Sequence, residues 1–455
     1  MNIYDVIVIG AGPVGLIATQ EALSQKKSVL LIDKDMGANY SFSPLDLEVS
    51  NLSKGKLGGI GGTSNIWHGQ GVRFPREFIE SYFVNSREWN YLRYSSISEE
   101  VEKIFGLTIE PDNNTKLFKR LRELIQEYRN VQLRVSHIPT KIDSWESIFK
   151  KVLQNSKLEI KKCNVQSLEF TKNYVSKIIT DTGEISVNQE TLIILAANSL
   201  GNVEILLRSE EKNNILFPGI GRSLYDHPHA VCLTFDARGN FHFLSNSFTY
   251  LVKKLFKVKV KKKFVVVNKN HEIGIFEIHP KYSMSRDLNL MMKISYKFLS
   301  KLFHYPLLKP ERIEVWIQIE QDSEDQENVS ERIFKLDKDQ LIWEYSLGKK
   351  DLARFEFIAA EATSILGSFG FGLERSHLNS DAMVFDTAAH PSGTIRPGYQ
   401  PTESSFSFEG RCNIYSNLMV AGGALIGTGS WVNPTLPIMT MTLGNVRSYL
   451  CKSEH

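Results

Sequence analysis

Residues Tyr4–Asp33 read YDVIVIGAGPVGLIATQEALSQKKSVLLID, and this stretch decides the fold. A β-branched run over 3–9 stops at glycine, which predicts a short buried strand. Residues 16–23 have the spacing of a helix, and a second apolar run over 28–32 predicts another strand. The order of strand, G-x-G-x-x-G loop, helix, strand and acid predicts a binding site for a dinucleotide.

Each part of this fingerprint has its own physical role. Gly10 permits the tight turn, Gly12 lets the backbone approach a pyrophosphate, and Gly15 lets the helix and the strand pack closely. The segment Pro13–Val14 begins the helix, whose N–H groups and dipole attract phosphate. Asp33 is expected to accept hydrogen bonds from the hydroxyls of the adenosine ribose. The fingerprint alone does not distinguish FAD from NAD.

The composition predicts a soluble globular protein. The chain has 455 residues, with 54 Lys+Arg against 51 Asp+Glu. At roughly 100–200 residues per domain, this length suggests two or three structural units, and the small net charge gives no reason to expect nucleic acid. No apolar run reaches the ~20 residues of a membrane-spanning helix, and no signal-peptide pattern is present. Four scattered cysteines predict free thiols, no metal site and a cytoplasmic location.

Further segments combine small residues with polar side chains that can take part in binding or catalysis. Residues 58–69 read GGIGGTSNIWHG, and this loop lets the backbone approach a flat or charged ligand. A buried strand, a small-residue turn and a helix follow in LIILAANSLGNV, residues 192–203. The remaining segments are GIGRSLYDHP at 219–228, AHPSGT at 389–394, NLMVAGG at 417–423 and WVNPTLPI at 431–438.

These segments together resemble the glucose–methanol–choline (GMC) oxidoreductases, from the first residues to nearly the last. The C-terminal part is most similar to the bacterial sugar dehydrogenase and pyranose oxidase branch. The resemblance implies an α/β fold, in which a Rossmann-like FAD-binding domain is joined to an α+β substrate domain built on an antiparallel sheet. The FAD domain is expected at 1–75, 155–230 and 385–455, and the substrate domain at 76–154 and 231–384.

Two positions depart from the family pattern. The usual Ala-Gly of the strand-to-helix turn is Ala197–Asn198 here. The pyranose oxidases carry a flavin-linking His just before the loop Trp, and in this chain that position is Ile66. We therefore expect FAD to be bound non-covalently, with His68 as a minor alternative for attachment.

The resemblance also implies the catalytic residues. Alcohol oxidation by a flavin moves a hydride to N5 and a proton to a base, a task that suits the near-neutral pKa of His. His390 matches the family's base, and Asn433 matches a second position, whose amide can bind the substrate oxygen but cannot take its proton. The simpler interpretations are a surface-loop His and a helix N-cap. Asp226 and His227 are expected to be structural or flavin-proximal.

The same resemblance implies the residues that bind FAD. Thr435 would direct a backbone N–H and a helix dipole at the flavin N1/O2 edge, where reduction places negative charge. The adenine-facing backbone position falls near Val165. The expected FAD-binding residues are Gly10, Gly12, Pro13, Val14, Gly15, Asp33, Gly62, Thr63, Ser64, Asn65, Val165, Ala197, Gly423, Asn433, Pro434 and Thr435.

Outside these motifs, periodicity predicts the remaining elements. Residues 114–128 and 351–366 have the pattern of amphipathic helices. Residues 311–318 and 330–346 contain alternating apolar positions, which suit a half-exposed antiparallel sheet. The short runs 158–160 and 165–169 are predicted as returning strands of the FAD domain.

Positive charge is concentrated in one segment. Residues 251–263 hold seven Lys and no acid, and 287–303 place a Lys stripe opposite an apolar side. Such a basic amphipathic pair can lie on an anionic membrane surface, which would make the protein peripheral to the membrane. The simpler interpretation is a Lys-guarded edge strand beside a core-facing helix.

The expected function is FAD-dependent oxidation of a CH–OH group of a sugar, polyol or related alcohol to a carbonyl. A dehydrogenase is favoured over an oxidase, and the electron acceptor is left open among a quinone, a carrier protein and O2. The alternatives are a non-redox lyase of the same family and a membrane-docked flavoprotein that acts on a lipophilic alcohol.

Overall fold

The structure is a computed structural model. It describes residues 4–34, 59–66, 71–84, 86, 88–105, 130–139, 143–236, 258–268, 271–281, 312–321, 334–337, 340–343, 347–378, 385–387, 390–427, 430 and 432–452.

The strands and helices of these residues are numbered in chain order. The strands are β1 (Val6–Ile9), β2 (Val29–Asp33), β3 (Val131–Pro139), β4 (Leu158–Lys162), β5 (Val165–Phe170), β6 (Val175–Thr180), β7 (Gly183–Ser186), β8 (Leu192–Leu195), β9 (Pro228–Asp236), β10 (Val258–Asn268), β11 (His271–Lys281), β12 (Arg312–Ile319), β13 (Phe334–Asp337), β14 (Gln340–Trp343), β15 (Gly372–Ser376), β16 (Asp386–Thr387) and β17 (Leu418–Val420). The helices are α1 (Pro13–Ser24), α2 (Arg76–Tyr82), α3 (Tyr91–Ile104), α4 (Trp145–Ile148), α5 (Lys150–Leu153), α6 (Asn198–Asn213), α7 (Lys349–Ser368) and α8 (Thr435–Lys452).

A parallel sheet of five strands contains the N-terminal fingerprint. Its order is β17-β8-β1-β2-β4, and every pair in it is parallel. All residues of β1 and β8 are buried, as expected for strands that are covered on both faces. The predicted strand–loop–helix–strand unit is thus confirmed, with α1 as the crossover between β1 and β2.

A small antiparallel sheet of β5, β6 and β7 lies between β4 and β8 in the chain. It packs on α6, where the Ser209 hydroxyl accepts the N–H of Leu168 at 2.8 Å. The two runs predicted as strands of the FAD domain therefore belong to different sheets. β4 joins the parallel sheet, and β5 begins the small antiparallel one.

A second large sheet is antiparallel and has the order β15-β9-β12-β11-β10-β3, with β16 also paired to β9. Along β12 the side chains alternate: Ile313, Val315 and Ile317 are fully buried, whereas Trp316 is only half-buried. The buried face packs against α7, whose Phe355 belongs to the same core. The predicted strand at 311–318 and the helix at 351–366 are thus confirmed as β12 and α7. The predicted α/β fold class, with a parallel and an antiparallel sheet, is confirmed as well.

Within the predicted alternating stretch 330–346, the described residues form β13 and β14, which pair with each other and are separate from the large antiparallel sheet. Phe334 is fully buried in the same core as Phe217, and its N–H donates to the carbonyl of Gly221 at 3.0 Å. This large ring is thus covered by residues around α6 rather than by the sheet. The expected domain limits stay a prediction.

The Lys-rich segment is described in part. Residues 258–263 are the first half of β10 and pair with β3, whereas β11 pairs with β10 from Phe264 onwards. The rest of this segment and the stretches at 114–128 and 287–303, for which helices were predicted, lie outside the described residues. Among the described residues, no helix is long and apolar enough to cross a membrane.

The C-terminal helix α8 packs on α1 beside the parallel sheet. The Arg447 guanidinium bonds the carboxylate of Glu21 on α1 at 2.9 Å and that of Glu100 on α3 at 2.9 Å. These two pairs raise the pKa of Arg447 above its usual value. These contacts join the C-terminal half of α8 to the last turn of α1 and to α3.

Candidate active site

The ends of three parallel strands meet at one edge of the sheet. The N–H of Ala196, just after β8, donates to the carbonyl of Ile9 at the end of β1 (2.8 Å). The N–H of Ala421, just after β17, donates to Leu195 in the same way (2.9 Å). The strand order reverses at β1, because β2 and β4 lie on one side of it and β8 and β17 on the other. Such switch points are where open α/β sheets bind ligands.

The first glycine loop is tight at two positions and open at one. A Cβ on Gly10, which has a φ of +109°, would lie 2.4 Å from the carbonyl oxygen of Ala196. A Cβ on Gly15 would lie 1.8 Å from the carbonyl oxygen of Gly10. At Gly12 no described atom lies within 4 Å of an added Cβ, and no side chain caps α1 there. The start of α1, Pro13–Val14, therefore faces space that can admit a phosphate.

Asp33 ties the first glycine loop to the second. Its carboxylate accepts the N–H of Ala11 at 2.8 Å and the N–H of Gly59 at 2.7 Å. Its carbonyl accepts the N–H of Cys163, two residues before Val165. Asp33 and Val165 thus stand close together at one end of the edge, and their roles toward ribose and adenine stay predictions.

The second glycine loop lies on the first. The N–H of Gly61 donates to the carbonyl of Ala11 at 2.8 Å, and a 3-10 turn follows over Gly62–Ile66, which includes Thr63. The turn is held by Trp145, whose indole N–H donates to the carbonyl of Ser64 at 3.1 Å. The Asn65 amide donates to Ile60 at 3.0 Å. The loop residues Trp67 and His68 lie outside the described residues.

The departure at Ala197–Asn198 has a local explanation. Asn198 has a φ of +59°, in the left-handed region that favours glycine, which asparagine tolerates better than most residues. Its side-chain oxygen accepts the N–H groups of Leu200 at 2.9 Å and Gly201 at 3.0 Å. Asn198 thus keeps the glycine-like turn and also caps the first turn of α6.

The candidate base His390 is held through its backbone. Its N–H lies 3.2 Å from each carboxylate oxygen of Asp226, which is fully buried and also accepts the N–H of His227 at 2.6 Å. The Gln321 amide oxygen accepts the N–H of Asp226 at 3.1 Å, and its amide nitrogen donates to Asp351 at 2.9 Å. His390 is thereby connected to the start of α7.

Backbone hydrogen bonds join the segment that contains His390 to the end of the parallel sheet where the glycine loops lie. Tyr225 and Ser392 exchange two backbone hydrogen bonds, of 3.1 and 3.0 Å. The N–H of Gly393 donates to the carbonyl of Gly423 at 3.0 Å. A Cβ on Gly422 would lie 3.4 Å from a methyl group of Val14. The first glycine loop, Gly423 and the His390 segment therefore lie next to one another.

Asn433 and Pro434 stand directly before α8. The carbonyl of Pro434 accepts the N–H of Ile438 at 2.8 Å, and Thr435 is buried at the first helical position. Leu436 is fully buried in the same core as Val14. The first turns of α8 and α1 thus contribute to one hydrophobic core, while the catalytic role of Asn433 beside His390 stays a prediction.

A second histidine adjoins the candidate base. The ring of His227 lies 5.7 Å from that of His390, with the two planes at 82°. Nδ1 of His227 lies 2.9 Å from a carboxylate oxygen of Glu320, and both side chains are 4% exposed. The sequence reasoning missed Glu320 and Gln321, although they continue the alternating pattern of β12.

The polar face of the antiparallel sheet extends outwards from Glu320. The ring of Trp316, four residues earlier on β12, stacks on His229 at 5.9 Å and lies 5.5 Å from His279. Burial lowers the pKa of His229, although the charge of Asp386 opposes this shift. The sheet thus presents an aromatic face on the His390 side, opposite the face covered by α7.

Solved structures match this fold, although no family model and no curated protein matches the sequence. The crystal structure of pyridoxine 4-oxidase from Mesorbium loti matches with a TM-score of 0.64 and 15% identity. The match covers 99% of this chain and 99% of that chain. The two proteins therefore share a fold along their full lengths, and the GMC-like fold expected from the sequence is confirmed.

Proposed function

We propose that this chain is an FAD-dependent oxidoreductase of the GMC family, which oxidises a CH–OH group to a carbonyl. The observation that carries this proposal is the bonding of His390 by Asp226 beside the edge where the two glycine loops meet. A histidine, a residue type that can act as a general base, thus stands next to a backbone that can hold a dinucleotide.

The end of the parallel sheet where the two glycine loops meet has features that suit FAD. The open space over Gly12 and the start of α1 suit the pyrophosphate, and the Gly61–Ile66 segment offers backbone that a flat ring system can approach. Asp33 and Val165 stand where the adenosine half would lie. The bound flavin would supply the hydride acceptor for the reaction. Ile66 in place of the linking His supports non-covalent binding.

Residues of the chain itself would accept the hydroxyl proton and position the substrate. The ring of His390 would take the hydroxyl proton of the alcohol, and the Asn433 amide would hold the alcohol oxygen in line. The N–H groups at the start of α8, beginning at Thr435, would stabilise negative charge on the flavin edge.

The substrate we favour is a ring-shaped alcohol. The Trp316 ring, flanked by His229 and His279, offers an aromatic face on which a sugar ring or an aromatic ring can stack. A sugar or polyol follows from the branch resemblance, and a pyridine-ring alcohol follows from the name of the matching structure. The branch resemblance favours a dehydrogenase, which would pass its electrons to a quinone or a carrier protein rather than to O2.

An anaerobic screen tests the proposal. Purified protein is mixed with sugars, polyols, pyridoxine, long-chain alcohols and sterols, and bleaching of the flavin is followed. We expect a ring alcohol to bleach the wild type and the control His377→Gln, and we expect a rate about 10²–10⁴-fold lower in His390→Asn.

The other outcomes separate the alternatives. A lyase would bind FAD without bleaching, and bleaching by lipophilic alcohols alone would favour the membrane-docked alternative. Equal rates of flavin reduction in His390→Asn and the wild type would show that His390 is not the base. Protein without flavin absorbance would contradict the proposal as a whole.

A further inference from the structure

The strands β3 and β10 continue as a two-stranded ribbon past the end of the β10–β11 pairing. The pairing of β10 with β11 runs from Phe264 to Asn268, whereas its pairing with β3 runs from Val258 to Val266. In the described strand pairings, residues 258–263 therefore bond to β3, which is the last strand of the sheet. We call the paired ranges 134–139 and 258–263 the ribbon.

Positive charge is concentrated in the ribbon. The strands β3 and β10 together hold no acidic residue and five basic residues, which are Arg134, Lys259, Lys261, Lys262 and Lys263. Without these five, 49 of the 54 Lys+Arg would stand against the 51 Asp+Glu of the chain. The positive net charge of the whole protein thus disappears without two strands, and an anionic surface is attracted to the ribbon rather than to the molecule in general.

The register divides the ribbon into two zones. Next to the core, Lys261–Lys263 pair with Arg134–Ser136, so that three consecutive pairs hold four cations, and we call this part the cationic zone. Farther out, Val258–Val260 pair with His137–Pro139, and four of these six residues are apolar, so we call this part the outer zone. On the other side of the cationic zone, Phe264 is buried in the core that packs on α7. From the core outwards, the order is therefore apolar core, cationic zone and outer zone.

This order matches the depth profile of an anionic lipid surface, in which charged head groups cover apolar acyl chains. We propose that the ribbon docks the protein on an anionic membrane, with the outer zone among the lipid head groups and the cationic zone at the phosphates. At ~3.3 Å per residue, the three pairs of the outer zone span roughly 10 Å, which is the depth that segments at the membrane interface reach. Each Lys or Arg near the surface adds to the attraction, so the binding is reversible and depends on salt.

Two simpler roles of the ribbon explain less of this pattern. Lysines that protect the edge of a sheet from aggregation need no apolar residues farther out, and Arg134 lies on the opposite strand. An acidic protein surface would complement the cationic zone and leave the outer zone without a complement. A membrane surface complements both zones.

Co-sedimentation with lipid vesicles tests the inference. The purified full chain is mixed with vesicles of phosphatidylcholine alone, or of phosphatidylcholine and phosphatidylserine together. We expect the wild type to bind the mixed vesicles at ~0.1 M salt and to be released at ~1 M salt, where the Debye length falls to about 3 Å. This comparison needs no variant. Failure to bind the mixed vesicles, or equal binding to both kinds of vesicle, overturns the inference.

Three multiple variants assign the binding to the two zones. K261Q/K262Q/K263Q removes three charges of the cationic zone and should weaken binding by about 10²-fold. K150Q/K151Q/K172Q makes the same change in net charge at exposed lysines elsewhere and should bind like the wild type. V258S/V260S keeps every cation but reduces the apolar surface of the outer zone, so it should bind at least tenfold more weakly. Thermal unfolding shows that each variant is folded.

The remaining outcomes contradict the inference in distinct ways. Equal losses in the two lysine variants would show a general effect of net charge, and unchanged binding in V258S/V260S would show attraction without entry into the head groups. Binding to polyglutamate as tight as that to the mixed vesicles would assign the ribbon to an acidic protein. The inference goes beyond the proposed function, because vesicle binding follows no flavin signal and either can fail without the other.

Discussion

Asp226 holds the backbone of His390 although 164 positions separate them in the chain: both carboxylate oxygens lie 3.2 Å from the His390 nitrogen. The same carboxylate bonds the N–H of His227, so one buried side chain fixes two histidines. The position of the candidate base is therefore set by a loop that precedes β9, and not by its own segment alone.

Asp226→Asn is expected to slow the reaction and to weaken the fold. The amide offers one acceptor oxygen where the carboxylate offers two, so a buried N–H loses its partner at a cost of about 1–3 kcal/mol. A displaced His390 should lower the rate of anaerobic flavin reduction by about 10²-fold. Stopped-flow absorbance and thermal unfolding measure the two effects. Asp181→Asn, which alters an exposed carboxylate that bonds the N–H of Asn164, is the matched control and should change neither.

Substitutions at two of the three glycines of the first loop, Gly12 and Gly15, should have different effects. Gly15→Ala would place a methyl group 1.8 Å from a backbone oxygen, so the protein should lose stability or fail to fold. Gly12 has a φ of −68° and open space around it, so Gly12→Ala should fold normally but bind FAD at least tenfold more weakly. Thermal unfolding of the flavin-free protein and flavin titration separate the two effects. Equal FAD affinity in Gly12→Ala and the wild type would place the pyrophosphate elsewhere.

Asn198 combines a left-handed backbone with a capping side chain, and two substitutions separate these roles. Asn198→Gly keeps the backbone conformation and loses the cap, at a cost of roughly 0.3 kcal/mol. Asn198→Ala loses the cap and also strains the backbone, so the total should be about 2–3 kcal/mol. Chemical denaturation measures both values. A smaller loss of stability in Asn198→Ala than in Asn198→Gly would contradict this account of the turn.

His229 should make stability depend on pH. Burial lowers its pKa in the folded state, so the unfolded chain binds a proton first as the pH falls below about 6.5. The corresponding stability is complete above that pH and is lost as the pH falls through the lower, folded-state pKa. His229→Gln should therefore reduce the drop in melting temperature between about pH 8 and about pH 5. An equal drop in the two proteins would mean that His229 does not titrate on unfolding.

The sequence predicted those elements whose structure is determined by residues close together in the chain. The glycine loop from Gly10 to Gly15 has a local pattern, and so do the buried strand β1 and the amphipathic helix α7. The support of His390 has no such pattern, because Asp226, Gln321 and Asp351 come together only when β9, β12 and α7 assemble. Glu320 continues the polar face of β12, yet its position 2.9 Å from Nδ1 of His227 depends on the sheet and could not be predicted from spacing. The hairpin β13–β14 has the alternation of a sheet strand, and only packing placed Phe334 in the other core.

The strand order of the parallel sheet has a consequence for synthesis on the ribosome. β1 bonds β2 on one side and β8 on the other, so its second edge stays open until residue 192 has been made. At ~5–20 residues per second this interval lasts on the order of 10–40 seconds, during which the nascent chain exposes an unpaired apolar strand. A nucleotide that needs both the Gly12 loop and the start of α8 can be captured only after residue 435 has been made. Binding of such a nucleotide would then follow completion of the parallel sheet, whose strand β17 ends at Val420.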